Sequence, residues 1–169
     1  SWAEENLDDV RKFLINEPRG HADMYGGFVV PADDENGDLG VVFFHKDGFS
    51  TACGHGTIAL VTWAIDSGLI EPKDEVVTVI VDVPSGRLVT EAKVHNQKVE
   101  SVCFQNVPSF VSATNISLQT SVGQVNADIS FGGAFYASVN AGKLGLSPTA
   151  SNIDALISLG REIKDQLKD

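Results

Sequence analysis

The chain has 169 residues and a formal net charge of −11, from 12 basic and 23 acidic side chains. A surface this acidic repels phosphate backbones and gains nothing from anionic membranes, which excludes nucleic acid and membranes as expected partners. Hydrophobic residues make up 43% of the sequence, enough for a core without metals or disulfides, yet no apolar run approaches the ~18 residues of a membrane span.

Residues 2–15 read as an amphipathic helix. Trp2, Leu7, Val10, Phe13 and Leu14 fall near helical spacing, with acids early and Arg11 and Lys12 late. Pro18 and Gly20 stop it. Strands are expected at Gly27–Val30 and Leu39–Phe44, joined by the turn-rich run from Pro31 to Asp38, and Asp47-Gly48 marks another turn. The run Asp33-Asp34-Glu35-Asn36-Gly37-Asp38 lacks the terminal Glu and flanking helices of a calcium loop and reads as a solvated acidic turn. Residues 54–67 then change period. Ile58, Ala59, Leu60, Val61, Trp63, Ala64 and Ile65 cover nearly every side of a helix, and a helix apolar all round is expected to be buried all round. Gly68 is its C-terminal stop.

From Val76 the pattern is β, with Val77, Val79 and Val81 alternating against Thr78, Ile80 and Asp82. Pro84-Ser85-Gly86 makes a turn. Further strands fit 87–94, 98–105 and 124–131. Gly132-Gly133 interrupts before the apolar run Ala134–Val139, and 151–168 is again helical. The expected fold class is α+β, with mostly antiparallel strands curled about one buried central helix. The length suits one domain or two small lobes.

The chemistry centres on Ala52-Cys53-Gly54-His55-Gly56-Thr57, directly before the oily helix. Gly54 and Gly56 let the backbone approach a ligand closely. The first amides of the helix have no intrahelical partner and make a seat for a carboxylate. The same partial positive charge favours thiolate over thiol at Cys53. His55 adds a donor to the substrate or a partner for the thiol. Against this stands an inert cysteine at a helix cap, since free cysteines are often buried. Cys103, inside the strand 98–105, reads as a buried structural thiol. Two cysteines are too few for a secreted disulfide scaffold and point to the cytoplasm, and a Cys53–Cys103 bridge would consume the reactive thiol. His21, His45, His55 and His95 show no zinc spacing, and no phosphate or dinucleotide loop appears, so no metal and no cofactor are expected.

The block Ala52-Cys53-Gly54-His55-Gly56-Thr57-Ile58-Ala59 resembles the Met-Cys-Gly-His block of the proline racemase family, with Ala52 in place of the usual Met. Glu17-Pro18-Arg19-Gly20-His21, Asn106-Val107-Pro108-Ser109-Phe110 and Asp128–Tyr136 agree in family order. The resemblance implies a diaminopimelate-epimerase-like fold of two lobes closing on proline or hydroxyproline, without a cofactor. It carries Cys53 over as a base, Gly54 and His55 as substrate contacts, and Gly56 as part of the binding turn. The family's second block, Asp-x-x-x-Cys-Gly-Thr-Gly, does not occur here. Residues 1–169 are therefore expected to form one lobe, the first of two, without appreciable racemase activity alone.

Racemases, hydroxyproline epimerases and trans-3-hydroxyproline dehydratases all resemble this lobe. The runs Gly-Gly-Ala-Phe-Tyr-Ala and Gly-Phe-Ser-Thr lean towards the dehydratases. A non-catalytic lobe that binds a partner or self-associates through its exposed lobe interface is the competing expectation. A diaminopimelate-type epimerase fits less well, because His55 stands where that family carries Asn.

Overall fold

The structure, a computed structural model, describes residues 1–21 and 23–167. Contacts divide the chain into two compact units, Ser1–Val107 and Pro108–Asp169.

The first unit opens with two short helices, α1 (Trp2–Asn6) and α2 (Asp8–Ile15). The expected single helix is broken at Leu7, where φ and ψ of −120° and 3° leave the helical basin. Its buried face also differs from the expected one. Arg11 and Ile15 are buried, whereas Trp2, Val10 and Phe13 are exposed. The cause is the Arg11 guanidinium, which donates to the carbonyls of His45 and Lys46 at 2.7 and 2.8 Å and to Asp8 at 2.7 Å. A hydrogen-bonded arginine can occupy an interior position that a bare cation cannot.

A six-stranded sheet follows, from β1 (Tyr25–Val30), β2 (Leu39–His45), β3 (Gly48–Ser50), β4 (Val76–Val83), β5 (Gly86–His95) and β6 (Lys98–Gln105). Its order is β1-β2-β4-β5-β6, with β3 also paired to β2. All pairings are antiparallel except β2 with β4, where Leu39 meets Val81 and Gly40 meets Asp82. The connection between these parallel neighbours carries Cys53 and α3 (Gly54–Asp66). Parallel neighbours require a long crossover, and a helix is its usual content.

The core joins Leu60, Val61, Ala64 and Ile65 of α3 to Val41 and Phe43 of β2, Val79 and Val81 of β4, and Leu88 and Ala92 of β5. Strand β5 shows strict inside-outside alternation, as a sheet with one wet face should. The expectation that α3 is buried on every side is not met by this chain. Trp63 is 50% exposed and Ile58 38% exposed, so one face packs on the sheet and the other remains open.

Two further expectations are corrected. Cys103 is exposed, because β6 is an edge strand whose Val102 and Phe104 turn inward and leave Cys103 pointing out. Both cysteines are free thiols. The acidic run Asp33–Asp38 is not merely solvated. Buried Asp82 accepts two bonds from Arg87, at 2.7 and 2.9 Å, and one from the Asp33 amide at 2.8 Å. Arg87 also reaches Asp34 at 2.8 Å, and Asp38 exchanges bonds with the backbone of Ile80. An arginine fork thereby ties the β1–β2 connection to β4 and β5.

The second unit is a three-stranded antiparallel sheet, β7 (Phe110–Thr120), β8 (Gly123–Phe131) and β9 (Phe135–Ser138), with α4 (Ile153–Gln166) after two short 3-10 turns. Strand β7 was not foreseen. Lys168, at the expected end of the last helix, lies outside the described residues. Leu118, Val125 and Ala127 pack against Leu159 and Ile163 of α4. Glu162 binds the amide and hydroxyl of Ser121 at 2.7 and 2.8 Å, fastening α4 to the β7–β8 turn. Phe110, Phe131 and Phe135 form an aromatic cluster at the other end of this sheet.

Candidate active site

Cys53 is the N-cap of α3. Its backbone is extended, with φ −152° and ψ 104°, and its carbonyl accepts the first helical bond from the Thr57 amide at 2.9 Å. The fully buried Thr57 hydroxyl donates to the same carbonyl at 3.0 Å. The Gly56 amide donates to Cys53 Sγ at 3.3 Å. A cysteine is not a customary N-cap, and here sulfur does what a serine or aspartate oxygen usually does. The thiol is therefore held at the helix start, at the margin of the core it packs against. It remains half-buried.

The amides of Gly54 and His55, at the first two helical positions, lie ahead of the intrahelical ladder. They are donors suited to an anion. The glycines around the thiol have steric reasons. A Cβ on Gly56 would lie 2.5 Å from Phe43 Cε1 and 3.1 Å from Cys53 Sγ, and one on Gly54 would lie 3.2 Å from Phe104 Cζ.

Beside this helix start is a cavity of about 620 Å³. Cys53, His55 and Gly56 line it, with Phe43 of β2, Gly26 and Gly27 of β1, and the α3 side chains Ala59 and Trp63. The structure thus brings three of the four sequence-predicted site residues to one cavity. Gly54 is exposed at the helix start and lies outside that lining. The size is within the range of small-molecule sites, and the wall is mostly apolar with a few polar groups.

Sequence reasoning missed Asp23, Tyr25 and Trp63 as wall residues. Trp63 carried a signal, since His55, Ala59 and Trp63 are spaced four apart and share one helical stripe. Asp23 carried none beyond following the Glu17–His21 block. Among the described residues, no group of three or more His, Cys, Asp or Glu side chains is placed to hold a metal ion. No described helix is long and apolar enough to cross a membrane.

The chain is 43% identical over 164 residues to a trans-3-hydroxy-L-proline dehydratase of Colwellia psychrerythraea, covering 96% of this chain and 46% of that protein. It is 36% identical to a proline racemase of Acetoanaerobium sticklandii, covering 99% of this chain and 51% of that one. The crystal structure of a hydroxyproline epimerase from Agrobacterium vitis, with bound trans-4-hydroxy-L-proline, superposes with a TM-score of 0.89 at 28% identity. That match covers 98% of this chain and 51% of the epimerase. The chain spans about half the length of the curated relatives it matches. The fold is the α+β, curled mixed sheet of these relatives. The sequence profile described as proline racemase matches residues 1–169 without remainder, and this chain belongs to that family.

Proposed function

We propose that Cys53 is a base that removes the Cα proton of proline or a hydroxyproline, in one lobe of a two-lobed, cofactor-independent enzyme. The observation that carries this is the Gly56 amide bond to Cys53 Sγ, which holds the sulfur at the open start of α3 on the wall of a small cavity. The substrate carboxylate sits on the Gly54 and His55 amides, and the pyrrolidine ring lies against Phe43, Ala59 and Trp63. The proton moves from Cα to sulfur, and the electron pair left on Cα is delocalised into the carboxylate. Return of a proton from the opposite face gives the other enantiomer or epimer. That face belongs to a second, diaminopimelate-epimerase-like lobe, which also covers the open side of α3.

A second outcome starts from the same abstraction. With a hydroxyl on Cβ, the Cα electron pair forms a Cα=Cβ bond as the Cβ–O bond breaks, and the departing hydroxide takes up one proton, balancing the one given to sulfur, to leave as water, which is the dehydration of trans-3-hydroxyproline. The dehydratase names of several relatives at 39–43% identity favour this outcome, against 36% for the racemase.

The test follows Cα hydrogen exchange in D₂O by NMR, using a chain of the relatives' full length that carries this lobe. Cys53→Ala is expected to lower exchange by ~10²-fold or more. Exchange that persists in that variant refutes the assignment. The products separate the two outcomes: inverted proline or hydroxyproline, or an unsaturated ring. Residues 1–169 alone are expected to alkylate at Cys53 with iodoacetamide faster than a free reference thiol, without appreciable turnover of proline.

A further inference from the structure

The segment that delivers Cys53 to the helix start is short. Strand β3 ends at Ser50, and only Thr51 and Ala52 lie between it and the thiol residue. Ser50 pairs with Phe43 in the β2–β3 ladder, and the Phe43 ring is the group that a Cβ on Gly56 would meet at 2.5 Å. Beyond Ser50, three successive carbonyls each accept a bond. Thr51 takes the Ser85 amide at 3.1 Å, Ala52 the Ser50 hydroxyl at 2.9 Å, and Cys53 the Thr57 amide and hydroxyl at 2.9 and 3.0 Å.

Peptide units are planar, so fixing the two units beside a residue fixes its φ and ψ. Ser50 holds the Ala52–Cys53 unit, and Thr57 holds the Cys53–Gly54 unit. Together they set φ and ψ of Cys53 at −152° and 104°, and with them the direction of its Cα–Cβ bond. Rotation about that bond is left to the Gly56 amide, 3.3 Å from Sγ. Sulfur is a weak acceptor, so this last bond cannot by itself order the backbone.

We infer that Ser50 is a positioning residue for Cys53, whose hydroxyl acts through the Ala52 carbonyl to aim the thiol at the Gly56 amide and the cavity. Ser50 does not line that cavity, so it acts only through the chain. The consequence for turnover rests on the reading of Cys53 as the base.

The experiment compares Ser50→Ala and Ser50→Thr in the ¹⁵N-labelled 169-residue chain. One readout is the rate of iodoacetamide labelling of Cys53 relative to Cys103, and the other is hydrogen exchange of the Gly56 amide. Ser50→Ala is expected to slow the labelling and speed the exchange, each about twofold to tenfold, the range that one hydrogen bond supports. Ser50→Thr keeps the hydroxyl in a residue suited to a strand and is expected to restore both. Unchanged values in Ser50→Ala, or no recovery in Ser50→Thr, overturn the role. Faster exchange spread evenly over β4 and β5 overturns it too, because that marks a general loosening of the sheet. In a chain of the relatives' full length, Ser50→Ala is expected to lower Cα exchange at saturating proline by a similar factor, with KM within about twofold. Cα exchange that also persists in Cys53→Ala overturns the base assignment alone, and leaves the role of Ser50 standing on the labelling.

Discussion

A methyl group added to Gly56 would have to displace the Phe43 ring, which is buried in the core and held by β2. Gly56→Ala is therefore expected to cost about 1–3 kcal/mol, the usual penalty for overpacking. It also crowds Cys53 Sγ, so iodoacetamide labelling of Cys53 should change in rate while that of Cys103 does not. Thr57 acts from the other side of the same cap. Thr57→Val keeps the volume and removes the second donor to the Cys53 carbonyl, and a loss of about 1 kcal/mol is expected in urea unfolding. Thr57→Ser keeps the donor but deletes a fully buried methyl group, so it too is expected to lose about 1 kcal/mol, for the cavity rather than for the hydrogen bond. The sequence made the cysteine and its glycines visible as a helix start. It did not reveal Thr57, because a threonine in an apolar helix has the same signature whether its hydroxyl is bonded or idle.

The arginine fork at Asp82 is the element-level device most exposed to pH. Bonds from Arg87 hold the Asp82 carboxyl below the usual carboxylate range, and the Asp33 amide adds to this. A carboxyl that is depressed in the folded state contributes stability above its unfolded value of about 4. That contribution disappears as pH falls through the lower folded value. Asp82→Asn should accordingly lower the urea midpoint at neutral pH, and the two proteins should converge as the pH falls through the depressed folded value. A gap that stays constant across that range would separate stability from ionisation of Asp82.

At this same scale, legibility followed the periodicity. Strands β4, β5 and β6 were legible because alternate residues face a core. Strand β7 was not, because Phe110–Thr120 is mostly exposed, its register shifts at Val111/Ala113 and again at Ala113/Ile116, and Asn115 takes a positive φ of 55°. Bulges break the period of two on which a strand is recognised. The break between α1 and α2 was hidden for the converse reason, since apolar spacing continues across Leu7. Arg11 was hidden because its burial depends on two carbonyls supplied by a turn more than thirty residues away.

For the whole chain, the two units have unequal means of holding themselves together. The first buries side chains from three strands and a helix, with β6 packed against them, whereas the second relies on Leu118, Val125, Ala127, Leu159 and Ile163. Hydrogen exchange is expected to show higher protection for amides of β4 and β5 than for any amide of β7, β8 or α4. Equal protection in both units would mean that they unfold as one. The exposed stripe of α3, with Ile58 and Trp63, belongs to this scale too. Sequence pattern identified it as apolar but could not say what covers it, because periodicity measures greasiness and not the presence of a neighbour.

The parallel contact between β2 and β4 also sets the order of assembly. The meander of β4, β5 and β6 closes through tight turns and can form early. Strand β2 reaches β4 only after the intervening segment, with Cys53 and the whole of α3, has been folded back across the sheet. Non-local pairings of this kind come late, because chain entropy is surrendered before the contacts repay it. The cap on Cys53 is local and forms with its helix, but the β1 and β2 wall of the cavity joins β4 late, so a partly assembled sheet exposes Cys53 without its site. Thiol reactivity during refolding would then report the completion of the sheet around the cysteine.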